Sequence, residues 1–207
     1  MSEPLLIAVL GIDGCGKSTV LAGLRTEFER LELPVREFHL RPNFQRKRGV
    51  KTASPPDHDA PPRGILTSAM KAALFATDYL ASRWSRFGTD PERPGVVLFD
   101  RYMSDLLADP KRYRYGGWLW LWRLACHAAP RPAMTIVLDV PGAVAVERKG
   151  ELSLPMANKL RTSYLSLAER YGWTVIDATK PPKEIVKTIL KSLAEGGHLT
   201  LDPSRAR

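Results

Sequence analysis

The stretch AVLGIDGCGKST sets Gly11, Gly16, Lys17 and Ser18 in the spacing glycine, four residues, glycine, lysine, serine. This pattern restricts the fold strongly, because it works only where a strand delivers the loop and a helix receives it. Both flanks comply. Leu5 to Leu10 is an apolar run of strand length, and the residues after Ser18 read as a helix. Glycines at 11, 14 and 16 let the backbone turn, so that N–H groups from Gly11 through Cys15 to Thr19 converge on phosphate oxygens. The helix N-terminus adds partial positive charge, Lys17 reaches the β- and γ-oxygens, and Ser18 is placed to hold magnesium. At average residue frequencies the pattern arises by chance in about one chain in a hundred of this length.

Apolar runs recur at Leu5 to Leu10, Val35 to Leu40, Val96 to Phe99, Met134 to Val140 and Thr174 to Ile176, with mostly helical segments between them. Short apolar strands without clean polar alternation suit a parallel sheet covered on both faces. The expected class is therefore a doubly wound α/β fold of P-loop type, with ligands at the carboxyl ends of the strands. A chain of 207 residues that is 44% hydrophobic can bury its own core without disulfides or structural metal. One domain is expected over residues 1–195. Residues 41–64, rich in proline and cations, read as a flexible loop that serves either as a substrate-side flap or as a solvated insertion. Residues 196–207 read as a loose C-terminal tail.

Cys15 and Cys126 are the two cysteines, and neither has the neighbours of a disulfide framework or a zinc site. His39, His58, His127 and His198 show no metal-ligand spacing. The N-terminal apolar run is too short for a secretory signal and no run reaches membrane-spanning length, so a cytoplasmic protein is expected. A formal charge of +9 favours anionic partners. In GGWLWLWRLACHAAP, Trp118 and Trp122 fall one helical turn apart with Trp120 on another face. That segment suits the core or a subunit interface, and alternatively a membrane surface.

The run PGVVLFDRYMSD ends a strand on Asp100, where enzymes with such loops place the acid that binds magnesium or its water shell. With GIDGCGKST, FDRYMSD, LDVPGAVAVERKGE, KLRTSYLSLAERYGW and TVIDAT in this order, the chain resembles the thymidylate kinase family over nearly its whole length. The resemblance implies a nucleoside monophosphate kinase-like fold with a five-stranded parallel sheet, ATP with magnesium as donor, and a homodimer. It also implies that Asp13 lies near the acceptor and the metal, that Arg101 clamps the acceptor phosphate or the transferring group, and that Asp100 and Tyr102 complete that motif. Residues 148–154 match a lid over ATP, from which Arg148 or Lys149 would neutralise the phosphoryl in flight. Arg161 matches the arginine of the following helix. The plainer reading of Arg148, Lys149 and Arg161 is solvated helix charge.

The departures from the family fall on the acceptor side. Arg41, after Leu40, replaces an expected acid, and the helix motif that contacts monophosphate and thymine is reduced to Asp78, Tyr79 and Ala81. Asp105 then precedes DPKRYRYGG where a serine and an Ala-Tyr-Gln segment are expected, so the chain resembles a divergent branch of the family. The acceptor is thus a nucleoside monophosphate such as dTMP, or a sugar or sugar phosphate, and the basic-aromatic run Lys111 to Tyr115, with Arg41 and the loop cations, either recognises an acidic or sugar-phosphate acceptor or is a solvated surface loop. The rival function is a non-catalytic ATP-binding module with a basic partner surface; nucleic acid is not the expected partner.

Overall fold

The computed structural model describes residues 3–40, 60–85, 87, 89, 90 and 92–199. Five parallel strands form one sheet: β1 (Leu5–Leu10), β2 (Val35–His39), β3 (Val96–Asp100), β4 (Met134–Asp139) and β5 (Thr174–Asp177). Their order is β2-β3-β1-β4-β5, so β1 is central and the chain reverses direction of winding on either side of it. Ligands bind at such a reversal. The register pairs Leu5 with Val96 through Val9 with Asp100, and Ile7 with Met134.

The inner runs form strands because both faces are covered, while β2 and β5 at the sheet edges stay partly exposed. Ile7, Ala8, Val9, Leu98, Phe99 and Ile136 have no measurable exposure. Each large side chain so buried contributes about 1.5–3 kcal/mol relative to exposure. Helix α1 (Lys17–Arg30) buries Val20, Leu21, Leu24 and Phe28, a spacing that keeps one face inward. The next helices in chain order are α2 (Ile65–Trp84), α3 (Asp105–Ala108), α4 (Leu119–Cys126), α5 (Gly142–Lys149), α6 (Leu154–Tyr171) and α7 (Pro182–Glu195). α1 packs on α7, α2 on α4, and α5 on α6.

Strand ends differ from the sequence expectation for local reasons. β2 stops at His39 because Leu40 turns into the left-handed region at φ 66°, and β3 runs one residue further than expected, to Asp100. Trp118 is the N-cap of α4, not a member of a buried pair with Trp122. Trp122 is fully buried and donates Nε1–H to the Met103 carbonyl at 2.8 Å, while Trp118 and Trp120 stack on each other at the surface, 6.1 Å apart. The expected tail begins less loosely than its composition suggests. His198 donates its N–H to the Leu193 carbonyl, and Leu199 packs against the core. Most of the expected 41–64 loop, and residues 200–207, lie outside the described residues.

Candidate active site

The glycine loop joins β1 to α1 in the strained backbone its sequence allows. Gly11, Gly14 and Gly16 take φ of 138°, 87° and 96°. At Gly14 a side chain is excluded twice, since a Cβ would also lie 2.2 Å from the Ala145 carbonyl oxygen of α5. Lys17 is buried, and its Nζ donates to the carbonyls of Gly11 and Ile12 at 2.8 and 2.9 Å, which holds the ammonium across the mouth of the loop. Burial pushes its pKa down, with Asp13 and Asp100 acting against that. Ser18 and Thr19 are exposed on the first turn of α1, while Cys15 is buried beneath the loop with its Sγ 3.7 Å from Lys17 Nζ. The thiol therefore fills space.

β3 delivers Asp100 into register beside Val9 and His39. One carboxylate oxygen lies 3.1 Å from His39 Nδ1. The other, Oδ1, is buried with no partner among the described residues. Burial raises this carboxyl, but the His39 contact and the charges of Lys17 and Arg101 bring it below its ordinary range. Ser18, His39 and Asp100 line one cleft of about 400 Å³. A carboxylate with one unpaired oxygen and a serine hydroxyl, lining one cleft, form a hard-oxygen donor set that fits magnesium bound through few protein ligands and the phosphates. Among the described residues no group of three or more His, Cys, Asp or Glu forms a separate metal site.

Arg101 follows in the left-handed region at φ 71°, a cost that recurs at functional positions. Its guanidinium is almost wholly buried, with Nη2 donating to Asp13 at 2.6 Å and Nη1 to Asp105 at 2.9 Å. Asp105 also accepts from the hydroxyls of Tyr113 at 2.5 Å and Tyr164 at 2.6 Å. Asp13 is shared further: its second oxygen accepts from Arg112, and Lys17 Nζ stands 3.9 Å away. Burial alone would raise the Asp13 carboxyl, but Arg101, Lys17 and Arg112 hold it far below the usual carboxylate range.

The structure thus brings Asp13, Lys17, Arg101 and Asp105 together, with Ser18 and Asp100 on the adjoining cleft. Other expected members sit apart. The Tyr102 hydroxyl donates to the Pro130 carbonyl at 2.5 Å, and the residue lines a different cleft of about 630 Å³ near the start of β4. Arg161 forks onto Asp139 at the end of β4, at 2.6 and 2.8 Å. Arg148 donates to the Ala178 carbonyl at 3.3 Å, on the far side of β4 from the glycine loop. Asp78 is half-buried on α2, next to a fully buried Tyr79 whose hydroxyl donates to the Leu40 carbonyl. Arg41 lies outside the described residues.

One contributor is new to the structure, and two lie in a run that the sequence marks without deciding its role. Tyr164 shares the buried face of α6 with Ala157, Leu160 and Ala168, so helical period alone marks it as core. Tyr113 and Arg112 belong to the basic-aromatic run Lys111 to Tyr115, which suits an acceptor site or a solvated surface loop, and the structure supplies their partners Asp105 and Asp13.

Comparison with known proteins bears on the family of the chain. The sequence model of the family described as thymidylate kinase matches residues 9–189, from the end of β1 into α7. A probable thymidylate kinase 1 of Saccharolobus solfataricus is 29% identical over 90% of this chain and 95% of its own length. A probable thymidylate kinase of Pyrobaculum aerophilum is 28% identical over 88% and 93%, and a thymidylate kinase of Thermomicrobium roseum 29% over 63% and 69%. Because the match runs unbroken through the glycine loop, the Asp100–Arg101 turn and the Tyr164 helix, the chain belongs to the thymidylate kinase family and is a P-loop nucleotide kinase.

Proposed function

We propose that the chain transfers the γ-phosphoryl group of ATP, with magnesium, to a small phosphorylated acceptor, with dTMP the first candidate. The relatives named for thymidylate support that choice. One observation carries the reading: Lys17 stands 3.9 Å from Asp13, which also holds the buried Arg101. A donor-phosphate lysine and an acceptor-side cation thus share one carboxylate.

In the transfer an acceptor oxygen attacks the γ-phosphorus, the bond to the β–γ bridging oxygen breaks, and ADP leaves with that electron pair. The chain's part is positioning and charge neutralisation. Lys17 exchanges its loop carbonyls for the β- and γ-oxygens, and the N–H groups of residues 11–19 hold the rest of the donor. Ser18 and Asp100 would hold magnesium, which when bound offsets the charge on the β- and γ-phosphates. Asp13 and Arg101 orient the acceptor, and Arg148 would have to leave Ala178 to act from the lid.

A specific observation supports a second acceptor class, a sugar phosphate. Tyr79 stands in the helix segment where the family resemblance implies a motif for monophosphate and thymine. It is buried edge-on against Tyr102, with ring centroids 4.9 Å apart, and offers no cation to a ligand. Two further readings belong to the proposal: a homodimer, supported by exposed apolar residues on α2 and α4, and a reducing cytosol, which suits the free thiols Cys15 and Cys126.

ADP release with ATP, magnesium and a panel of nucleoside monophosphates, sugars and sugar phosphates tests this. Lys17→Ala should lower turnover by at least about a hundredfold. Undiminished turnover in that variant would remove the donor assignment. Turnover with sugar phosphates but not dTMP would move the acceptor to the second class.

A further inference from the structure

DPKRYRYGG carries the sequence's largest departure on the acceptor side, and the structure shows what most of the loop does. The Asp109 carboxylate accepts the Arg112 N–H at 3.1 Å, which closes the turn that begins at Pro110. Tyr113 donates its hydroxyl to Asp105, and its carbonyl accepts from Lys71 of α2 at 2.7 Å. Arg114, at φ 49°, is held at both ends of the residue: Nε donates to the Pro61 carbonyl and its own carbonyl accepts the Arg63 N–H. Tyr115 packs edge-on against Trp122, with centroids 5.4 Å apart, and Gly116 lies so close to Arg63 that a Cβ would stand 2.2 Å from its carbonyl oxygen. These contacts fix the loop and touch no ligand position.

Arg112 differs. Its Nη1 meets Asp13, 99 residues away, and its side chain keeps 15% exposure where Arg101 keeps 3% and Asp13 7%. Its other guanidinium nitrogens have no partner among the described residues. They are also absent from the buried unsatisfied atoms, so they meet solvent at the edge of the Lys17–Asp13–Arg101 cluster. A fixed loop therefore presents a half-committed guanidinium next to the lysine that faces the donor. A planar fork with free donors suits two oxygens of a phosphate.

We infer that Arg112 binds the phosphate of a phosphomonoester acceptor, and that Asp13 holds its guanidinium in place for that anion. The inference rests on the proposed phosphoryl transfer and deepens it: α2 supplies no cation at Tyr79, and the loop after α3 supplies one at Arg112. The acceptor class is a phosphomonoester, and a neutral sugar is disfavoured.

The test is calorimetric titration of the full chain, with magnesium and a non-hydrolysable ATP analogue present, using dTMP, thymidine and inorganic phosphate. Arg112→Ala should bind dTMP and phosphate about 10- to 100-fold more weakly, with analogue affinity unchanged and Arg112→Lys intermediate. Unchanged analogue binding also shows that the variant is folded, since Asp13 retains Arg101 and Lys17. Equal binding of dTMP and phosphate by Arg112→Ala and wild type overturns the inference, as does an equal loss for thymidine. Absence of phosphate and dTMP binding by the wild type overturns it too. Phosphate binding that depends on Arg112, without turnover of any phosphorylated acceptor, upholds the site and sinks the transfer reading instead.

Discussion

Asp105 has no exposure, and its two oxygens accept from one guanidinium and two tyrosine hydroxyls. Asp105→Asn leaves Arg101 short of a counter-charge and turns an amide donor toward hydroxyl donors. Removing one partner of a buried pair costs about 3–5 kcal/mol, and this variant belongs at the lower end because one oxygen remains. Urea denaturation should show a lower midpoint with unchanged slope; a midpoint equal to wild type would mean that the network is not what holds Arg101. The Asp13 and Asp100 carboxyls both lie below their ordinary value of 3.8 in the folded chain. A depressed carboxyl contributes stability that is complete above its unfolded pKa and is lost as pH falls through the folded one. Stability should therefore be insensitive to these two groups from pH 7 to about 5, and should fall from near pH 4 downward. Asp13→Asn should flatten that acid slope, and an unchanged slope in denaturation midpoints measured from pH 5 to pH 2.5 would refute the assignment.

The elements divide by how far apart their partners lie in the chain. The strands were legible as short apolar runs, those of β1, β3 and β4 buried on both faces and those of the edge strands β2 and β5 partly exposed, and the glycine loop because eight consecutive residues, 11–18, fix it. Ser18 and Asp100 follow from that frame, since the first turn of α1 and the end of β3 carry them, whereas Arg101 comes from the family resemblance. The loop 109–117 was half legible: its basic-aromatic run suits an acceptor site and a solvated surface equally, and the anchors that decide how it is held, Pro61, Arg63, Ser68 and Lys71, stand 42 to 53 residues away. The pairing of Arg112 with Asp13 was out of reach for the same reason, because nothing near it in sequence announces Asp13. Tyr79 marks a missing acceptor contact in the sequence, and the structure shows what replaces it: its ring belongs to an aromatic cluster with Phe99 and Tyr102. The docking of this loop can be tested at Gly116, whose Cβ would meet Arg63 backbone rather than a movable side chain. Gly116→Ala should cost about 1–3 kcal/mol, and should weaken dTMP binding more than binding of the ATP analogue. Equal effects on both ligands would mean that the loop serves the fold as a whole and not the acceptor side.

At the scale of the molecule, what remains unexplained by the core is apolar surface. Leu66, Met70 and Leu74 follow the four-residue spacing of one face of α2, with exposures of 77%, 63% and 51%. Trp118, Trp120 and Leu124 are similarly exposed on α4 and its cap, and α4 packs against α2. Scattered exposed leucines need no explanation, but two adjacent helices carrying them in rows support the proposed dimer surface. No helix among the described residues is long and apolar enough to cross a membrane, so the rows do not belong to such a span. A second copy is the proposed cover, and a two-fold axis would set the same patch against itself, so each substitution counts twice. Leu66→Glu with Trp120→Glu places four new carboxylates in such a dimer while leaving each folded chain's interior untouched. Buried aromatic anchors at interfaces are each worth 2 kcal/mol or more, so dimer dissociation should strengthen by about a hundredfold or more. Sedimentation velocity at micromolar concentration should then show a wild-type dimer and a monomeric variant with unchanged circular dichroism. A monomeric wild type would remove the second copy from the proposal, and a variant that remains a dimer would move the interface off α2 and α4.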